Sequence, residues 1–403
     1  VRIPDGRSTD HEDMAAMEDV PMTMSRKDFL RLTAAGAVAL SAPRLTRAAD
    51  PVKVGAMFPL SGGTAVQGQH VCEAIEIAAA MVNDAGGVIG RPIQVIRRDD
   101  ESTPAVGVSR ASELIGEGVS VIIEGWNSPV TLATQTVIAR AGVLDITAVS
   151  KADQILTGGG NPLAIRLNSS NAQDGRVIAD HLKATGAKRI AFLTQNDAYG
   201  NGAQASIETE LKAIGHEYTK VGEERFPFAQ ADFRVALTNI RSTNADAIVV
   251  INANEGSGLP ALLRQARQMR LRGDLVTAVG TVAPSVIQVA GDAANGVTGA
   301  DIYFPKVEPF ASNPVNQDFV RRAEEKIRYT PDKFMALGAT SLQVWAMAAN
   351  ELKTLEREKI ANRIRGGSFK GTVFGDITFS PDGQLGSSHH LFTVKDGKIE
   401  VRA

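Results

Sequence analysis

Within Val121 to Gln135, VIIEGWNSPVTLATQ, three side chains stand out for the chemistry they can do: Asn127, Ser128 and Thr131. They sit where the apolar run VSVII gives way to TLATQTVIA, whose apolar residues recur at helical spacing, so the join is a strand-to-helix turn. Unpaired backbone N–H groups and the positive end of a helix dipole point outward from such a turn, which suits a carboxylate or another small anion. A serine there also serves as an ordinary helix cap, so a binding role has to come from the surroundings. Ser61 to Gln67 and Trp126 are placed to wall one side of a cleft, with Trp126 equally suited to a hydrophobic core. Asp197-Ala198-Tyr199-Gly200 follows a second strand and opens a helix, which aims the Tyr199 hydroxyl at the same kind of edge. Asn252, Asn254 and Glu255 follow the strand AIVVI in the same way.

Other chemistries lack their residues. Gly63 and Gly68 have the glycine spacing of a phosphate-binding loop, but Gln69-His70 follows where lysine and a hydroxyl residue belong. No GxGxxG follows the first strand, and GWNSPV is not the GxSxG of a serine nucleophile. The six histidines form no ligand pattern; they are expected at the surface, with His389-His390 pointing to opposite faces of a strand. Asp99-Asp100-Glu101 reads as a solvated turn. The expectation is a binding site without a reaction: no enzyme, no metal and no cofactor.

The elements that must hold these residues alternate regularly from Val52. VKVGAMF, IQVIRR, VSVII and VLDIT are strands, with helices over Gln67 to Ala85, Ala105 to Gly116 and from Thr131. That order predicts a parallel sheet with helices on both faces, whose ligands bind beyond the carboxyl ends of the strands. A second run of the same plan follows PLAIRLNSS, through RIAFLT, Glu217 to Phe226, AIVVI, LVTAVG and GVTGADIYF, without a tandem repeat of fixed period. Two further helices, NQDFVRRAEEKIRY and Phe334 to Leu355, lead into a β-rich end piece with turns at Pro381-Asp382-Gly383 and Lys395-Asp396-Gly397. The fold class is α/β: two doubly wound parallel-sheet lobes with a cleft between them, joined by a hinge that the chain crosses more than once.

Composition agrees with a soluble protein of about two domains, since 43% of the 403 residues are hydrophobic and 22% charged. A net charge of -2 with 5% aromatics gives no electrostatic footprint for nucleic acid. The lone Cys72 forms no intrachain disulfide and lies in a helical pattern, which suits a buried apolar role. Residues 1–49 read as an export signal and disordered start: SRKDFLR, then LTAAGAVALSA, then small residues up to Ala48 and Ala49. SRKDFLR resembles a twin-arginine signal, departing from it at Lys27. Removal near Ala48 or Ala49 leaves a protein that is expected to be periplasmic.

From about Val52 to Val401 the chain resembles the leucine-binding-protein family, the periplasmic substrate-binding proteins of branched-chain amino acid ABC transporters. The resemblance is carried by VKVGAMFPLSGGTAVQGQ, NDAGGVIGRPIQVIRRDDESTP, GWNSPVTLA, ILTGGGNPLAIRLNSS, NDAYGNG, and LLRQARQ followed by AGDAANGV. It implies a type I periplasmic binding protein, a two-lobed clamp with three crossovers near Arg166 to Asn168, Tyr303 to Pro305 and Gly386 to Phe392. Lobe 1 is then 50–167 with 305–388, and lobe 2 is 168–304 with 389–403. It further implies that the ligand's carboxylate is held at Ser128 with Trp126 and Asn127 beside it, and by the loop of Ser150, Lys151, Ala152 and Asp153. Gln67 would contact the ligand from the first lobe, and Tyr199 and Glu255 from the second. Two departures stand out. Relatives that bind amino acids place an acidic residue on the loop matching Val279 to Ala283, here VGTVA, and Lys151 puts a cation near the carboxylate seat. The implied function is a monomeric solute receptor that closes on a branched-chain amino acid or a related small carboxylate or amide and presents it to a membrane permease. The alternative is a ligand-sensing regulatory module of the same fold.

Overall fold

The computed structural model describes residues 50–158 and 161–402; the expected export signal lies outside them. The first lobe runs β1 (Val52–Phe58), α1 (Ala65–Asp84), β2 (Ile93–Asp99), α2 (Pro104–Gly116), β3 (Val121–Glu124), α3 (Ser128–Arg140), β4 (Leu144–Thr147), α4 (Gln154–Thr157) and β5 (Ala164–Arg166). Its five strands are all parallel, in the order β2-β1-β3-β4-β5. The second lobe runs α5 (Asn171–Ala184), β6 (Arg189–Gln195), α6 (Ala198–Ala213), β7 (Thr219–Phe226), α7 (Arg234–Ser242), β8 (Ala247–Ile251), α8 (Gly258–Gln268), β9 (Asp274–Thr277), α9 (Pro284–Ala290) and β10 (Thr298–Asp301). The chain then returns to the first lobe through α10 (Pro314–Ile327), α11 (Lys333–Leu352), α12 (Arg357–Ile364), β11 (Ser368–Thr372) and β12 (Gly375–Thr378). It ends in the second lobe as β13 (His390–Lys395) and β14 (Lys398–Val401).

Both lobes share one winding. The second sheet has the order β14-β13-β10-β9-β8-β6-β7, so β7-β6-β8-β9-β10 repeats the pattern of β2-β1-β3-β4-β5. In each lobe the winding reverses beside the first strand of the unit, which opens a crevice at the carboxyl ends of the flanking strands. β13 extends the second sheet antiparallel to β10. The expected β-rich tail is present and divides between the lobes. β11 and β12 form a separate hairpin in the first lobe, preceded by the helix α12, whose short charged sequence REKIANRI carries little apolar signal. No described helix is long and apolar enough to cross a membrane.

Sheet periodicity fixes what is buried. β3 and β4 are buried at every residue, as strands covered on both faces must be. One face of the first sheet meets α1, α11 and α12, while Met57, Leu114, Ile122 and Ile138 form the core with α2 and α3 on the other. Helix α11 is buried nearly all round, which suits its apolar sequence KFMALGATSLQVWAMAANEL. Cys72 is buried in the same core, and burial pushes its thiol up to about 12, so the thiolate does not form near neutral pH.

Three acids break the apolar pattern. Asp100, expected in a solvated turn, is fully buried: its Oδ1 accepts from the Ser102 amide at 2.8 Å and its Oδ2 has no partner. Asp145 lies inside β4 with both carboxyl oxygens unpartnered, one strand away from the buried Glu124. Burial pushes both Asp100 and Asp145 up to about 7. For Asp145 the folded form keeps its proton between the ordinary value of 3.8 and about 7 while the unfolded chain loses it. Stability contributed by that proton is therefore present below pH 4 and declines as pH rises towards 7. Asp145→Asn is expected to raise the guanidinium midpoint more at pH 8 than at pH 5; an equal change at both would show that Asp145 does not titrate in this window.

Candidate functional site

The two carboxyl-edge crevices face one another and enclose a single cavity. From the first lobe, β3 ends and the chain turns through Gly125 at φ 97°, where a side chain would press within 2.9 Å of Thr131 Oγ1 and Thr147 Cγ2. That turn delivers Trp126, Asn127 and Ser128 to the cavity wall. Helix α3 starts at Ser128, one turn earlier than its apolar period suggests, with Pro129 in its first turn. Asn127 occupies the cap position, but neither it nor Ser128 caps through its side chain. Ser128 Oγ instead accepts the amides of Lys151 at 3.3 Å and Ala152 at 3.2 Å, which pins the loop after β4 to the start of α3. Its own proton is left to donate. Ser150 Oγ, also on the wall, lies 2.8 Å from Thr131 Oγ1, itself 3.4 Å from the buried Glu124 carboxyl.

From the second lobe, Asp197 caps α6 by accepting the Gly200 amide at 2.9 Å, so Tyr199 sits in the first turn with its ring against the cavity. Burial, reinforced by the nearby Glu255 carboxyl, holds the Tyr199 hydroxyl well above its ordinary range, so it is a neutral donor. Glu255, on the loop after β8, reaches the same wall; its Oε2 is buried with no partner, and burial pushes the carboxyl up to about 8. Asn127 Oδ1 is likewise buried without a partner.

Lys151 corrects one expectation. It lines the cavity, but its ammonium is not free beside Ser128. It pairs with Asp174 Oδ2 at 2.5 Å, donates to the Val279 carbonyl at 2.9 Å and reaches Ser169 Oγ at 3.4 Å, so the first lobe is tied to the second. Burial alone would raise Asp174, but the Lys151 charge and a hydrogen bond from His389 bring it down to about 2. His389, with its Nε2 2.9 Å from Asp174 Oδ1, is partly buried, and His181 and His216 are buried, against the surface positions expected of them. His216 Nε2 pairs with the Ala187 carbonyl at 2.6 Å.

Two expected residues do not reach the cavity. Ala152 lies behind it, its amide already given to Ser128. Gln67 is buried at the lip, where its Oε1 would sit 3.0 Å from a Cβ built on Gly256 of the opposite lobe. Trp126 serves both roles weighed for it: it belongs to the first-lobe core and faces the cavity, its ring 4.7 Å from that of Phe334. Phe334 and Lys333, at the start of α11, complete the wall and were not singled out in the sequence. Lys333 Nζ donates to the Gly280 carbonyl at 3.1 Å, lies 3.7 Å from Asp301 Oδ1 and sits 4.4 Å from the Phe334 ring centre. A lysine in the first turn of an apolar helix opposes the helix dipole, and that was the available signal. The cavity between these groups has a volume of about 20 Å³. That is room for one or two waters, so a larger solute enters only as the lobes part.

A two-lobed α/β clamp with polar groups converging from both lobes is the architecture of a solute receptor, and the comparisons place the chain. A family profile described as "Periplasmic binding protein" matches residues 51–398, so the chain belongs to that family and, within it, to the leucine-binding-protein-like type I group. A Leu/Ile/Val-binding protein homolog 1 of Brucella abortus is 27% identical over 342 residues, 82% of this chain and 87% of the relative. A leucine binding protein of Thermotoga maritima superposes with a TM-score of 0.77 at 27% identity, covering 87% of this chain and 98% of the other. An ABC transporter solute binding protein of R. palustris, solved in complex with benzoate, superposes with a TM-score of 0.79 at 23% identity, covering 87% and 95%.

Proposed function

We propose that this protein is the extracytoplasmic solute-binding component of an ABC transporter. It captures a branched-chain amino acid or a related small carboxylate or amide between its lobes and delivers it to a membrane permease. The observation that carries this reading is the meeting, around one enclosed cavity, of Ser128 and Ser150 from one lobe with Tyr199 and Glu255 from the other. The names of the Brucella and Thermotoga relatives support the solute class; the R. palustris protein supports the fold.

The mechanism is closure. An open clamp exposes the hydroxyls of Ser128 and Ser150 to an arriving carboxylate; the second lobe then brings Tyr199 over it and excludes water, which strengthens each remaining hydrogen bond. No bond is broken. Presentation of the closed form to a permease makes transport depend on the ligand-stabilised population.

A thermal-shift screen of branched-chain amino acids, aliphatic and aromatic acids and their amides tests this, because a ligand bound only by the folded form raises the melting temperature. With the best hit, Tyr199→Phe is expected to weaken binding about tenfold to a hundredfold, the worth of one hydrogen bond to a charged carboxylate. Ser128→Ala is expected to cost at least about tenfold, because the lost partner is charged. It should also lower the melting temperature of the free protein, since the Lys151 and Ala152 amides lose their acceptor. Unchanged affinity in both variants would place the ligand elsewhere.

A further inference from the structure

The charges around the cavity are arranged one-sidedly. Lys151 and Lys333 both line it, and their ammonium groups hold the carbonyls of two consecutive residues, Val279 and Gly280. Lys151 spends its three protons on Asp174, Val279 and Ser169. Lys333 does not: it makes one hydrogen bond within 3.5 Å, and its nearest carboxyl, Asp301 Oδ1, is 3.7 Å away and already accepts the Ile302 amide at 2.7 Å. Both lysine partners, Asp174 and Asp301, are absent from the cavity wall. The one carboxyl on that wall is Glu255, 3% exposed, with its Oε2 unpartnered.

We infer, resting on the clamp reading above, that the cleft selects a small organic anion without an ammonium group: a carboxylate that also bears a neutral donor such as a hydroxyl, in preference to the matching α-amino acid. A carboxylate finds the spare N–H groups of Lys333 and the hydroxyls of Ser128, Ser150 and Tyr199. A neutral hydroxyl finds the two unpartnered acceptors, Asn127 Oδ1 and Glu255 Oε2. An ammonium ion would leave water to sit on a wall bearing two cations and no ionised carboxylate to balance it. Glu255 is ill-suited to that part, because its Oε2 has no donor to hold an ionised form and burial pushes its carboxyl up to about 8.

The test is calorimetric titration of the full chain at pH 7 with matched pairs: L-leucine against 2-hydroxy-4-methylpentanoate, and L-phenylalanine against 3-phenyllactate. The hydroxy acid is expected to bind at least tenfold more tightly in at least one pair. An amino acid that binds equally well or better in both pairs overturns the inference and leaves the clamp standing. Absence of binding by all four probes, and by the wider screen of acids and amides, overturns both. Glu255→Gln separates the two roles of that residue. Hydroxy-acid binding is expected to weaken at least as much as amino-acid binding, because the variant disturbs the acceptor offered to the hydroxyl, whereas selective loss of amino-acid binding would identify Glu255 as the counter-ion of an ammonium group and refute the proposal.

Discussion

Gly256→Ala should weaken ligand capture at least about tenfold while leaving both lobes folded. Gly256 lies on the loop after β8, and a Cβ there would come within 1.9 Å of the Gly63 carbonyl oxygen on the opposite lobe. The obstructing atom is backbone, so no rotamer change relieves it. Either the loop around Gly63 shifts or the lobes stay apart at that lip. A gap there admits water to the hydroxyls and carboxyl that the closed clamp keeps dry, and each hydrogen bond to ligand weakens accordingly. Small-angle scattering with saturating ligand should show a larger radius of gyration than the parent, with circular dichroism unchanged. Equal affinity and equal compactness would mean that the Gly63–Gly256 contact plays no part in closure.

Lys151→Met should destabilise the closed form by about 3–5 kcal/mol, the usual cost of leaving one member of a buried ion pair without the other. Asp174 would keep only His389, and the first lobe would lose its hold on the Val279 carbonyl. The parent owes part of its acid resistance to this pair. With Asp174 brought down to about 2 from an ordinary 3.8, its contribution is fully present above about pH 4 and lost as pH falls through about 2. In Lys151→Met the acid-unfolding midpoint should therefore move to higher pH, and the urea midpoint at pH 7 should fall. Replacing both residues, Lys151→Met with Asp174→Leu, should recover much of the loss. A single variant as stable as the parent would show that the pair contributes no net stability.

The architecture was legible because alternating strands and helices leave a local signature, and because the chain reverses its winding at the same point in each lobe. Ser128 and Tyr199 could be found for that reason: each opens a helix directly after a buried strand, where crevices form in such sheets. Lys333 arrives from a helix 206 residues further along the chain than Asn127, and nothing local says which crevice it enters. The Lys151–Asp174–His389 set joins three distant segments, so the partner of Lys151 could not be read locally and His389 looked like a surface residue. Asp100 was misread for a related reason. A run of three acids suggests solvent, but the alternation at the end of a strand turned the middle one inward.

The passages between the lobes lie against one another. Arg166 pairs with Gln384, its amide donating to Gly383 and its carbonyl accepting from Leu385, both at 2.9 Å, while Asp301 pairs with His390 along β10 and β13. A waist of three adjoining cords bends easily in one direction and resists being wrung. Opening is expected to follow a swing rather than a twist, so that a partner reading the clamp from outside would meet one angle rather than a spread of orientations.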